Sequence, residues 1–382
     1  MHKIRITNAT KPGKKIMAEQ NNEIFMRKAI ELARQGEGKT NPNPLVGAVI
    51  VKDGIIIGQG FHTKYGELHA EREALADCLR RKNDPRGADI YVTLEPCCHF
   101  GKQPPCTHAI LESGIKRVFV GSRDPNPLVH GKGNAFLREN GIEVTEDFLR
   151  EECDELNPIF FHYITTKTPY VALKYAITLD GKIATKSGKS KWITGEKSRE
   201  FVHHLRNRYA GIMCGVGTVL ADNPLLNCRI PDGTNPVRII CDSKLRIPLD
   251  SQIIKTAKEI PTIIACTSAD SKKEQQLIES GAEILKIQSD ENGRINLKKL
   301  IEQLGERKID SILIEGGGEL NYSALKSGIV QKIYAFCAPK IFGGTGKTPV
   351  IGNGVDSPDD AFIFKLKKIR QIEDDILLEY EN

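Results

Sequence analysis

Apolar positions along the chain change period repeatedly, and each change marks an element. Residues 23–36 carry apolar side chains at helical spacing (Ile24, Phe25, Ala29, Ile30, Leu32, Ala33) and end in a glycine, which predicts an amphipathic helix. Two short apolar runs, 45–51 and 55–60, flank Asp53-Gly54, the signature of a hairpin. A helix at 69–80, a strand at 89–94, a helix after Cys106 closing at Gly114, and a strand at 116–121 follow. A helix near 134–140 and a short strand at 142–145 come next. A hairpin followed by alternating helices and strands predicts a three-layer α/β sandwich around a mixed sheet.

The polar segment Thr165-Thr-Lys-Thr-Pro169 interrupts this pattern and reads as a domain boundary. Beyond it, strands are predicted at 170–178, 237–242, 261–266 and 311–315 and a short strand running into a glycine turn within 210–218, with a helix at 195–208 capped by Thr194. The run at 311–315 leads directly into Gly316-Gly-Gly318 and a helix, an arrangement that lets a phosphate approach a helix N-terminus. Phe342-Gly-Gly-Thr-Gly346 is a second glycine cluster of the same promise, and 362–370 with 375–380 should close the chain as an antiparallel pair. The domains expected are a disordered basic tail at 1–22, a first domain at 23–166 and a second at 167–382.

Composition narrows the class. At 382 residues the chain accommodates two cores, and 40% hydrophobic with 27% charged residues is ordinary for a globular protein. No apolar run is long enough to span a bilayer, so no membrane partner is expected. A net charge of +6, only 6% aromatics and basic residues spread along the chain favour a phosphorylated small molecule over nucleic acid. Ten scattered cysteines do not read as a disulfide framework and point to a reducing, cytoplasmic setting.

The chemistry concentrates in His69-Ala-Glu71 and in Glu95-Pro-Cys97-Cys98-His99 through Pro105-Cys106. One imidazole and two thiolates make a three-ligand zinc site with its fourth position open, and a glutamate two residues from the ligand histidine serves as the proton carrier. His-x-Glu with Pro-Cys-x-x-Cys is the signature of zinc-dependent base deaminases. Here Cys106 follows Cys97 by nine positions, so the short spacing is not met and Cys98 and His99 compete as ligands on spacing alone. Cys97 and Cys106 are preferred because each follows a proline-defined turn. Asn43 and His62 flank the same site and are placed to read a substrate ring; Lys102 is placed to meet a phosphate.

Asn41-Pro-Asn-Pro-Leu-Val-Gly47, His69-Ala-Glu71, Thr93-Leu-Glu-Pro-Cys97 with Pro104-Pro-Cys106, Asp180-Gly-Lys182, Lys191-Trp-Ile-Thr194, Gly215-Val-Gly-Thr218 and Glu315-Gly-Gly-Gly318 closely resemble the bifunctional deaminase/reductase family of riboflavin biosynthesis, in the family's order, over roughly residues 23–380. The resemblance implies a cytidine-deaminase-like N-terminal domain and a dihydrofolate-reductase-like C-terminal domain. It also implies zinc on His69, Cys97 and Cys106, since the long cysteine spacer fits the family, and NADPH in the second half. The implied substrate is 2,5-diamino-6-(ribosylamino)-4(3H)-pyrimidinone 5'-phosphate, deaminated with Glu71 as proton carrier and then reduced from ribosyl to ribityl. Carried over by motif, Ala176, Trp192, Thr218, Asp222, Ser243, Gly317 and Gly318 would line the cofactor. Ser190, Arg206, Leu226, Arg229 and Glu315 would hold the substrate, with Lys174 and Asp222 as candidates for proton handling at the sugar. A homo-oligomer is expected.

Overall fold

The strand Gly47–Lys52 buries side chains on both faces: Ala48 and Ile50 join one apolar cluster, Val49 and Val51 another. A strand covered on both sides belongs inside a layered sheet. A computed structural model of the chain, describing residues 12–100, 104–268 and 270–382, has that arrangement. The chain divides into two compact units after Thr165.

In the first unit the helix Pro12–Ala33 (α1) precedes the strand Gly47–Lys52 (β1), which turns through Asp53 and Gly54, at φ 51° and 77°, into Ile55–Phe61 (β2). Two left-handed residues in succession are what a two-residue hairpin turn requires. There follow Ala70–Arg80 (α2), Asp89–Leu94 (β3), Cys106–Glu112 (α3), Arg117–Ser122 (β4), Lys132–Glu139 (α4), Glu143–Thr145 (β5), Arg150–Asp154 (α5) and Pro158–Thr166 (α6). The sheet runs β2-β1-β3-β4-β5, antiparallel as far as β3 and parallel beyond it. One face carries α1 and α5 through Met26, Ala29 and Cys153; the other carries α2, α3 and α4 through Ala74, Ile110 and Leu137. This is the sandwich that the periodicity predicts. The first helix begins at Pro12, within the stretch expected to be a tail; residues 1–11 of that stretch lie outside those described.

The second unit is built on Tyr170–Thr178 (β6), Glu196–Arg208 (α7), Gly211–Gly215 (β7), Val216–Asp222 (α8), Val237–Cys241 (β8), Gln252–Lys255 (α9), Thr262–Cys266 (β9) and Ser271–Glu279 (α10). It continues with Glu283–Lys286 (β10), Leu297–Glu306 (α11), Ser311–Ile314 (β11), Gly318–Lys326 (α12), Val330–Ala338 (β12), Lys365–Ile372 (β13) and Asp375–Glu381 (β14). The nine-stranded sheet has the order β10-β9-β8-β7-β11-β6-β12-β14-β13, all strands running the same way except β14, which is antiparallel to both its neighbours. Successive residues feed opposite cores, Ile239 one and Ile240 the other, as a sheet covered on both faces demands. The chain doubles back when β11 inserts between β7 and β6, and in such sheets ligands bind at the carboxyl ends of the strands flanking that switch.

Thr194 is not the cap of α7; Gly195 holds that position, and Asp375, distant in sequence, accepts its N–H at 2.8 Å and the Ser198 hydroxyl at 2.6 Å. The short strand expected within 210–218 ends at Gly215, and the glycine turn expected after it opens the helix α8, Gly215 taking the extended N-cap conformation. In the second glycine cluster two amides are already engaged: the Asp180 carboxylate accepts from Phe342 N at 3.1 Å and from Gly343 N at 2.8 Å.

Candidate functional site

The sequence places His69 just before α2 and Cys106 at the start of α3, so two helix N-termini converge beside the end of β3. Between them, Glu95-Pro96-Cys97 leaves the sheet in a turn fixed by Glu95. Its buried carboxylate accepts from Gly131 N at 3.0 Å, Gly133 N at 3.1 Å and Asn134 N at 3.4 Å, capping the N-terminus of α4 with a negative charge. The approach is close enough that a Cβ on Gly133 would collide with the Pro96 carbonyl oxygen. Cys97 therefore projects from a turn locked to a neighbouring helix.

His69 Nδ1 lies 3.5 Å from Cys97 Sγ and 3.4 Å from Cys106 Sγ, and the Cys106 N–H donates to Cys97 Sγ at 3.4 Å. Around a zinc ion with ordinary Zn–N and Zn–S bonds, the N···S edge of a tetrahedron is about 3.6 Å. The donor set and its spacing fit zinc. The hydrogen bond between the two thiols draws Cys97 down, with His69 adding to it, and the same bond together with burial moves Cys106 well up. A coordinating divalent cation deprotonates such thiols outright. Glu71, in the first turn of α2, is buried, and burial followed by the Cys97 charge pushes its carboxyl up.

These groups open on a cavity of about 320 Å³ lined by Asn43, His62, Glu71, Asp124 and Asn126, among others. His62 and Asn43, singled out separately in the sequence, are bonded to each other: His62 Nδ1 donates to the Leu68 carbonyl at 3.0 Å, so Nε2 is left to accept from Asn43 Nδ2 at 3.1 Å. Burial lowers the His62 pKa and keeps this neutral form. Cys98 and His99 are not part of the three-donor cluster; Cys98 Sγ turns to the Leu128 carbonyl, and His99 lines the cavity. Lys102 lies outside the described residues. Sequence reasoning missed Glu95 and Asp124. Asp124 is buried in the cavity wall, and burial lifts its carboxyl to about 6. The available signal was Asp124-Pro-Asn-Pro127, which echoes Asn41-Pro-Asn-Pro44.

In the second unit the carboxyl ends of β7 and β11 meet. Thr218 Oγ1 accepts from Gly317 N at 3.1 Å, and Gly215 N donates to the Gly316 carbonyl. Gly316 is left-handed at φ 95°, and Gly318 has no room for a side chain, since a Cβ would come within 2.6 Å of Ile351. Arg206 grips Glu315 with both arms, at 2.7 Å and 2.9 Å, and Lys174 Nζ lies 3.9 Å from the same carboxylate. Burial works against the Glu315 charge, but Arg206 and then Lys174 outweigh it and hold the carboxyl at about 2. Burial lowers the Lys174 pKa. Asp222 bonds to Ser190 Oγ at 3.4 Å. Leu226 is buried in the core at left-handed φ 50°, so what it offers a ligand is main chain; Arg229 is exposed. Trp192 is exposed with the Arg199 guanidinium 4.8 Å above its ring, Ala176 lies on β6, and the Ser243 carbonyl accepts from Thr267 N.

Residues 19–122 match the model of the cytidine and deoxycytidylate deaminase zinc-binding region, and residues 169–378 match the RibD C-terminal domain. The riboflavin biosynthesis protein RibD of Actinobacillus pleuropneumoniae is 56% identical over 357 residues, covering 93% of this chain and 94% of that protein. The chain belongs to the RibD family. The RibD protein of Escherichia coli is 36% identical over 370 residues, covering 94% of this chain and 98% of its own. Among solved structures, a diaminohydroxyphosphoribosylaminopyrimidine deaminase/5-amino-6-(5-phosphoribosylamino)uracil reductase from Thermotoga maritima aligns with a TM-score of 0.85 and 41% identity, covering 95% of this chain and 99% of that one. Acinetobacter baumannii RibD aligns with a TM-score of 0.84 and 36% identity over 95% and 99%. RibD proteins are bifunctional enzymes of riboflavin biosynthesis, a zinc-dependent deaminase joined to an NADPH-dependent reductase, and this chain carries both halves. Among the described residues no helix is long and apolar enough to cross a membrane.

Proposed function

We propose that residues 23–166 deaminate 2,5-diamino-6-(ribosylamino)-4(3H)-pyrimidinone 5'-phosphate and that residues 167–382 then reduce its ribosyl group to ribityl. The observation that carries the first half is the convergence of His69 Nδ1, Cys97 Sγ and Cys106 Sγ beside the buried Glu71 on one cavity. His69, Cys97 and Cys106 would hold the zinc. Bound zinc supplies the lowered water pKa that makes hydrolysis feasible near neutral pH. Glu71 takes up a proton at its carboxylate and returns it to the departing amino nitrogen, a role its buried place beside the three donors supports. Asn43, positioned by His62, reads the pyrimidine edge, and Lys102 meets the phosphate.

In the second half, NADPH contributes the hydride. Thr218, Ser243, Gly317 and Gly318 cradle it at the carboxyl ends of the strands, with Ala176, Trp192 and Asp222 alongside. Arg206, Arg229, Ser190, Glu315 and the main chain at Leu226 hold the substrate, the arginines meeting its phosphate. Lys174, beside Glu315, is the better-placed of the two proton-handling candidates, since Asp222 is engaged with Ser190. We further assign the enzyme to the cytoplasm, supported by ten cysteines without a disulfide, and a homo-oligomeric state, supported by the exposed Leu366 and Ile369 on the sheet's outer strand β13.

Glu71→Gln tests the deaminase reading. Zinc at one per chain with ammonia release lowered about 10²- to 10⁴-fold is expected; undiminished release contradicts the role of Glu71.

A further inference from the structure

Arg238, on β8, is fully buried, and every one of its N–H groups has an acceptor. Nε donates to Thr262 Oγ1 at 3.0 Å. Nη1 donates to the Leu225 carbonyl at 3.1 Å and Thr256 Oγ1 at 2.8 Å, and Nη2 to the carbonyls of Ile253 at 2.9 Å and Ile260 at 3.1 Å. None of these acceptors is a carboxylate. A guanidinium held only by neutral groups is costly to bury, and burial draws its pKa down to about 10. An apolar side chain would fill the same space more cheaply. What the planar fork adds is geometry: it ties three main-chain segments to one rigid group.

One of those segments is the loop at 223–229, between α8 and β8. Its other ties are as definite. Asn223 Oδ1 accepts from Gln252 N at 2.8 Å and the Asn223 carbonyl from Gln252 Nε2 at 3.0 Å, while the Asn227 carbonyl accepts from Arg206 Nη1 at 3.0 Å. Asn223 and Leu226 are both left-handed, at φ 40° and 50°, so the loop is kinked either side of the Leu225 tie. The same Arg206 that grips Asn227 holds Glu315.

We propose that Arg238 is a positioning residue of the reductase, acting through the Leu225 carbonyl to hold the 223–229 loop in register with Arg206 and Glu315. It thereby sets affinity for the phosphorylated pyrimidine without touching it. The inference rests on the assignment of Leu226 and Arg229 to substrate binding.

The test is steady-state reductase kinetics on full-length, zinc-loaded protein carrying Arg238→Lys or Arg238→Met. The substrate is the deaminated ribotide with NADPH. The KM for the ribotide should rise about tenfold or more, with the KM for NADPH within about twofold and deaminase activity unchanged. Hydrogen exchange at residues 223–229 should quicken. Thr256→Val and Thr262→Val strip acceptors from the guanidinium but leave Leu225 tied, so they should lower the melting temperature without moving the ribotide KM. Arg229→Ala separates the two layers. If it leaves the ribotide KM unchanged, the loop is wrongly assigned; if it raises KM and Arg238→Lys does not, the positioning role is refuted. Should Arg238→Met fail to fold, Arg238→Lys and its loop exchange still decide the matter.

Discussion

Single atoms decide how closely a cofactor can approach the glycine turn after β11. Gly318 opens α12, and Ile351, whose N–H bonds the Gly318 carbonyl at 3.0 Å, occupies the space a side chain would need. Gly318→Ala should push α12 away from Thr218 and raise the KM for NADPH several-fold. It should also cost about 1–3 kcal/mol of stability in the second unit, as overpacking does. Steady-state kinetics and thermal melting check it; an unchanged NADPH KM would show that this turn does not hold the cofactor. Glu71 illustrates the opposite situation, a position whose value lies in its buried surroundings. Its neighbours in sequence announced it, but the burial that raises its proton affinity was visible only once α2 was packed against the Cys97 turn.

At the scale of elements, the Cys97 turn and α4 act as one unit through Glu95. Removing that carboxylate leaves Gly131, Gly133 and Asn134 without their acceptor and frees Pro96-Cys97 from the helix. Glu95→Ala should lower stability by about 1–3 kcal/mol and weaken zinc binding about 10- to 100-fold, measured by melting and by competition with a chelator. Retained zinc affinity would refute the coupling. The parts legible in the sequence were those whose cause is local. The hairpin at Asp53-Gly54, the strands β3 and β6, and the helix closing at Gly114 all follow from short-range periodicity and turn chemistry. The parts that escaped depend on contacts far apart in the chain. Asp375 reaches Gly195 to cap α7 where Thr194 was expected, and Asp180 engages two amides of the second glycine cluster from 162 and 163 positions away. The three clustered donors were legible because zinc chemistry restricts residue type and the family resemblance chose among the cysteines, whereas Asp124 was not, since an acid in Asp-Pro-Asn-Pro reads as an ordinary turn.

For the molecule as a whole, the ion-paired trio Lys174, Arg206 and Glu315 ties acid stability to the strand-end cluster of the second unit. Glu315 is held at about 2 against an ordinary 4.5, so its contribution is fully present above 4.5 and is lost as pH falls from there toward 2. That displacement is worth on the order of 3 kcal/mol. Glu315→Gln should therefore flatten the acid limb of the stability curve over that window while lowering stability at neutral pH, because Arg206 and Lys174 are left without their anion. Urea titrations at several pH values read this directly, and an acid limb as steep as that of the unaltered protein would contradict it. The family assignment, the zinc-spaced donors of the first unit and the strand-end cluster of the second converge on one account: two chemistries in sequence on one chain. The measurement that tests it most directly follows ammonia release and NADPH absorbance together, on purified zinc-loaded protein given the diaminopyrimidine ribotide. Ammonia should come first and NADPH consumption after a lag, with Glu71→Gln lowering both signals from this substrate about 10²- to 10⁴-fold. NADPH loss that precedes ammonia, or ammonia with no NADPH loss at all, would contradict it.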